Sequence, residues 1–442
     1  MKLRLVKTFF CLITVSLLLI SCEMQIGEVY QLPDNLEGIL EPWEGDIYFL
    51  EHELPKLHKN IYHSISQDEY FEKIEKLKKE CKDVYNETRW VKIMSFVSSI
   101  NDAHTAYGYS MKEAYPLNLV VLEEGVFVTA ALNENRHLVR TTTSNPTAAK
   151  VELVKIEGIP IFSTSDTESV FSIFQSILSH ENESHLKSLM TSSLLDPSLL
   201  YGAGITTSKS KCNMTFRFPD NSEETILFEA KNLNNFRNLD WVVYYDDSYP
   251  ADKTNLPPYI RNNIDTYYGE YYDDENTLYI LYNACKDDPV QPFSQFIEEL
   301  YSSVKDKTID KLIVDLRNNS GGDSRVIKPL YSLLKKELSQ SKLYVITGPS
   351  TFSSALMNAI ELSKNYDGIL IGSPTGGKPN HYGEVKVTEL PSKNRISWST
   401  NYFTMIPGDD SDALYPDIPV YVTSEDFFKL EDTILETIFQ QD

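Results

Sequence analysis

The chain has 442 residues, enough for two or three domains, and 41% of them are hydrophobic, which is ample for sizeable cores. Its formal charge of −23 at pH 7 repels phosphate backbones and argues against nucleic acid as a partner. The five cysteines form neither a CxxC metal pair nor a disulfide framework, and the eight histidines include no HExxH, so no metal and no cofactor is implied.

Residues 1–21 join a basic start (Lys2, Arg4, Lys7) to the apolar run FFCLITVSLLLI, which has signal-peptide length and is short for a membrane span. The run ends in LISC, which resembles a bacterial lipobox. That resemblance implies cleavage before Cys22, lipid on its thiol and new amine, and a protein held to a bilayer of the cell envelope. Residues 22–45 then read as a stalk.

Residues 46–109 read as a helical region. SQDEYFEKIEKLKKECKDV opens with a capping box, Ser66 to Glu69, and sets Tyr70, Ile74, Leu77 and Cys81 on one stripe. NETRWVKIMSFVSSI gives a second amphipathic helix and runs into the polar loop NDAHTAYGY, which carries His104. His52, His58, His180 and His185 read most simply as surface histidines.

Residues 110–235 change to short strands (LNLVVL, GVFVTAAL, KVELVKIEGIPI, MTFRFPDN) interrupted by one helix, TESVFSIFQSIL, and so predict a small β-rich module. The tyrosine- and acid-rich stretch 240–276 reads as a surface connection. Residues 236–442 close the chain, and from about 277 strand and helix alternate, which predicts an α/β domain with a largely parallel sheet. In such sheets sites gather at the C-terminal ends of strands. Three loops fall there: RNNSGGDS, GPSTFSS and SPTGGKPNHYGE.

Gly321-Gly322 allows backbone N–H groups to approach a ligand closely, although a glycine turn after a strand is the plainer reading. Ser353 or Ser354, before ALMNAIEL, is by itself more often a helix cap than a nucleophile. A nucleophile there needs a base. Lys378 qualifies only if its environment lowers its pKa. His104 titrates near neutrality without help, and His381 is a third candidate that also reads as a turn histidine.

Together, LIVDLRNNSGG, TFSSA and GSPTGGKPN resemble, in order and spacing, the C-terminal processing (tail-specific) serine peptidases, including their tricorn-like and retinoid-binding-protein-like branch. The resemblance spans roughly residues 85 to 420 and implies a crotonase-like ββα-type catalytic domain and cleavage of protein or peptide substrates. It implies Ser353 as nucleophile and an oxyanion hole from Ser354 and Gly321 or Gly322. For the base it implies Lys378, as in the tail-specific branch, or His104, as in the tricorn-like branch. Asp410 is the best-placed late acid. Ala103 stands where the tricorn-like branch has serine, and Phe352 and Leu356 replace the small residue and the glutamate usual around a tail-specific nucleophile. Residues 115–161 resemble a degenerate PDZ-like module, which implies capture of a substrate C-terminus by strand addition. The alternative is an inactive, peptidase-like lipoprotein that binds peptides or glycans.

Overall fold

The computed structural model describes residues 29–141, 148–163, 167–246, 253 and 255–441. The signal segment and Cys22 lie outside these residues. Among the described residues no helix is long and apolar enough to cross a membrane.

The fold is mixed α/β, and its centre is a six-stranded sheet. An antiparallel hairpin, Tyr267–Tyr272 with Thr277–Tyr282, starts it. The strands Lys311–Asp315, Lys342–Thr347, Ile369–Gly372 and Ile418–Pro419 then add in parallel order. Side chains of a strand alternate between faces, so one apolar run feeds two cores. Leu278, Ile280, Leu312, Val314, Leu343 and Val345 share one core with the helices Phe293–Val304, Lys328–Lys336 and Ser354–Tyr366. Tyr279, Leu281, Ile313, Tyr344 and Ile346 face the other way, against the terminal helix Thr433–Phe439. Burial on both faces explains why these strands read as near-continuous apolar runs.

Segment 240–276 is more than a connection. Trp241–Val243 closes the sheet of the β-rich module, and Tyr267–Tyr272 is an edge strand of the central sheet. The module itself is an antiparallel sheet ordered Trp241–Val243, Gly125–Leu132, Glu152–Ile156, Lys211–Arg217, Glu223–Glu229, with Leu117–Leu122 and Ile159–Pro160 attached. Three helices pack with it rather than the one expected: Val170–Ile177, Glu183–Ser193 and Pro197–Gly202. The latter two are serine-rich or short, so their periodicity was faint in the sequence.

The N-terminal helices Gln67–Glu80 and Asn86–Ser98 follow the expected pattern, whereas Pro42–His52 begins within the segment 22–45 that read as a stalk. Ser66 Oγ accepts the Glu69 N–H at 3.2 Å, and Tyr70, Ile74, Leu77 and Cys81 are buried. They do not form a core of their own. Leu390, Ile396 and Trp398, from the C-terminal hairpin Asn380–Glu389 with Arg395–Thr404, complete it. The strand Ala106–Gly108 then pairs antiparallel with that hairpin, Ala106 opposite Ser397. This pairing carries the NDAHT loop onto the α/β domain.

Candidate active site

Ser353 lies where the strand Lys342–Thr347 turns into the helix Ser354–Tyr366. Its φ is 52° and its ψ −126°, a left-handed conformation that a serine adopts at a cost of about 1–3 kcal/mol. The surroundings hold it there. Thr351 Oγ1 donates to the Leu316 carbonyl at 2.9 Å and accepts the Gly348 N–H at 3.0 Å, while the Phe352 N–H donates to the Asn319 carbonyl at 3.2 Å. Ser353 is at the cap position of the helix, yet its side chain caps nothing. It is half-buried, so its hydroxyl stays within reach of a ligand. Ser354 has a different job: its Oγ donates to the Gly322 carbonyl at 2.6 Å.

The glycine turn touches this serine. A Cβ on Gly321 would sit 2.8 Å from Ser353 Cβ, and one on Gly322 would sit 2.3 Å from the Cys285 carbonyl oxygen. Both positions also have φ above 100°, which only glycine adopts freely. Asn319 shapes the turn by accepting the Gly321 N–H at 2.9 Å and donating to the Tyr282 carbonyl at 2.7 Å. Gly321 N–H is therefore committed. The N–H groups of Gly322 and Ser354 make no hydrogen bond to the described residues and are the pair left to meet an anion. The DLR of the motif is a support: Arg317 bonds Asp315 at 3.0 Å and grips Asp432 with two bonds at 3.1 and 3.0 Å.

The third loop packs against the same turn. Gly376 N–H donates to the Thr351 carbonyl, and a Cβ on Gly377 would meet Leu356 at 2.8 Å and Phe352 at 3.4 Å. Lys378, however, is engaged: its Nζ lies 3.3 Å from Glu181 Oε2, a carboxylate buried on the helical side of the β-rich module.

His104 is only 6% exposed, and both of its ring nitrogens lack a hydrogen-bond partner. Its ring stacks on Phe352, the residue before Ser353, with centroids 4.5 Å apart. The Phe352 ring also stacks on His185 at 4.2 Å, and His381 lies 5.8 Å from His104. Burial drives the His104 pKa down from 6.5 to about 4, with the charge of Asp102 opposing and that of His381 assisting. The imidazole is consequently neutral at ordinary pH.

The structure corrects several sequence expectations here. His58 and His185 are buried rather than superficial. Asn60 N–H donates to His58 Nδ1 at 3.0 Å, which leaves the ring proton on Nε2 to donate to Asp102 Oδ2 at 2.9 Å. Asp102 also accepts from Thr105 Oγ1 at 2.6 Å and lies 4.0 Å from His104 Nδ1. Burial alone would push this carboxyl up; the His58 and Thr105 bonds help to hold it well below the usual carboxylate range. Asp410 is exposed, and no contact joins it to His104. Its loop is anchored instead through Asp409 and Asp412, whose carbonyls accept Asn380 and Asn182, so Asp102 is the acid beside the histidine. Asp102 was legible as the residue two before His104, but only its burial marks it.

No protein-family model and no curated protein matches the chain. Among solved structures it is similar to mature CPAF complexed with lactacystin, at 13% identity and a TM-score of 0.60, over 90% of this chain and 97% of that one. Mature CPAF alone gives 12% and 0.58, over 88% and 94%. The photosystem II D1 C-terminal processing protease gives 10% and 0.41, over 86% and 94%. At these identities the likeness to CPAF establishes a shared fold.

Proposed function

We propose that the chain is a serine peptidase of the C-terminal processing type that its motifs resemble, with Ser353 as nucleophile and His104 as general base. The observation that carries this reading is the unused pair at one turn. A strained serine that caps nothing follows Phe352, whose ring stacks on a buried imidazole with two unsatisfied nitrogens. A merely structural role requires neither feature.

In this reading Ser353 Oγ attacks the substrate carbonyl carbon and His104 accepts its proton. The resulting oxyanion meets the Gly322 and Ser354 N–H groups at the start of the Ser354–Tyr366 helix, where the helix dipole favours negative charge. Collapse breaks the C–N bond, the protonated His104 gives its proton to the leaving amine, and water then hydrolyses the acyl-serine by the same route. Phe352 keeps water off the imidazole, and Asp102, held by His58 and Thr105, fixes the loop that presents it.

A fluorophosphonate probe tests the assignment. Wild type is expected to be labelled covalently at Ser353 and Ser353→Ala is not. An unlabelled wild type would favour the inactive binding protein, and labelling that survives Ser353→Ala would remove the nucleophile assignment.

Two finer parts of the proposal rest on sequence resemblance. The β-rich module receives a substrate C-terminus, and Cys22 tethers the protein to the cell envelope. Incorporation of labelled palmitate is expected in wild type and lost in Cys22→Ala; a variant that still incorporates it has no lipid at Cys22.

A further inference from the structure

Three side chains converge at the candidate base, which is one of them. Asp102, His104 and Glu181 are all buried, and one ligand atom from each lies within 4.8 Å of the other two. His104 belongs to this cluster with neither nitrogen satisfied, and its Nδ1 is 4.0 Å from Asp102 Oδ1. Burial raises the Glu181 carboxyl, Lys378 opposes that rise and the charge of Asp102 adds to it.

Two carboxylates and one imidazole facing inward are the donors that zinc-class ions take, whereas magnesium and calcium prefer oxygen alone. Tetrahedral zinc places donors about 3.4 Å apart. The three atoms, at most 4.8 Å apart, therefore need to close by no more than about 1.4 Å to hold an ion. A cation already stands at the rim: Lys378 Nζ is 3.3 Å from Glu181 Oε2, and its side chain is 27% exposed, so it has a path out to solvent.

We propose that Asp102, His104 and Glu181 form a binding site for a zinc-class divalent cation, which displaces Lys378 from Glu181 and withdraws His104 from proton transfer. The site is a brake on the reaction proposed above. Its inhibitory consequence rests on that reading; the binding itself does not.

The test is titration of the metal-stripped protein with Zn²⁺ against a chromophoric chelator, with circular dichroism to verify folding of each variant. Wild type is expected to bind one ion. His104→Ala and Glu181→Gln are each expected to weaken binding at least about tenfold, the scale seen for loss of groups that support a metal site. Lys378→Met is expected to tighten it, because a competing cation is gone, and misfolding cannot produce that sign. Absence of stoichiometric zinc, or zinc affinity unchanged in His104→Ala, Glu181→Gln and Lys378→Met, overturns the site. Peptide hydrolysis is not the readout, so failure of the metal site and failure of the peptidase reading are separately visible.

Discussion

His104→Ala is expected to lower kcat/KM on a peptide substrate by about 10⁴-fold, while Lys378→Met lowers it by less than about tenfold. The contrast follows from what each candidate base already does. Lys378 Nζ is already paired with the Glu181 carboxylate at 3.3 Å. His104 is neutral without further help, since burial has moved its pKa to about 4, and no bond ties up its nitrogens. Below about pH 4 the imidazole is protonated and cannot accept the serine proton; above it the base is competent. The acid limb of kcat/KM is therefore expected near pH 4 rather than near 6.5. A limb near 6.5 would show that the imidazole is open to solvent during turnover, and a loss from Lys378→Met as large as that from His104→Ala would transfer the role to the lysine.

Arg317→Met is expected to destabilise the fold by about 3–5 kcal/mol, read as a shift of the urea midpoint. The guanidinium is 7% exposed and sits between two buried carboxylates, Asp315 and Asp432, with the Tyr259 ring 4.2 Å beneath it. Removing it leaves two acids with no cation in a dry interior. Asp432 also caps the terminal helix by accepting the Leu435 N–H, so the loss loosens that helix from the sheet. Tyr279 OH, which donates to Asp315 at 2.7 Å, cannot neutralise the charge. Replacing Arg317, Asp315 and Asp432 together by apolar residues of similar volume should recover most of the loss, because the cost comes from unpaired charge rather than from missing packing. A change below about 1 kcal/mol in the single variant would show that water reaches the pair.

Much of the α/β domain was readable before any coordinates. The runs at 278–282, 312–314 and 343–346 are apolar at every position, as strands buried on both faces must be, and Gly321-Gly322 after the second marks a turn no other residue makes easily. Parallel strands all point one way, so the loops at their ends share one edge. For that reason RNNSGGDS, GPSTFSS and the 373–384 loop were placed together correctly from order alone. The local hydrogen bonds of Thr351 and Asn319 lie within or between these loops and follow from the same topology.

Sequence by itself placed the candidate serine turn, the glycine turn and the two competing bases. Only the tertiary structure shows how each of those bases is engaged. His104 comes from a segment far from Ser353 in the chain and enters through one antiparallel pairing, Ala106 opposite Ser397, that no local pattern encodes. The same pairing buries Asp102 and turns it toward His58, while Phe352 closes over the imidazole. Lys378 competed with His104 as base, and Asp410 stood as the late acid. Glu181 engages Lys378, solvent surrounds Asp410, and burial, which sequence registers only as an average along an element, gives His104 its neutrality.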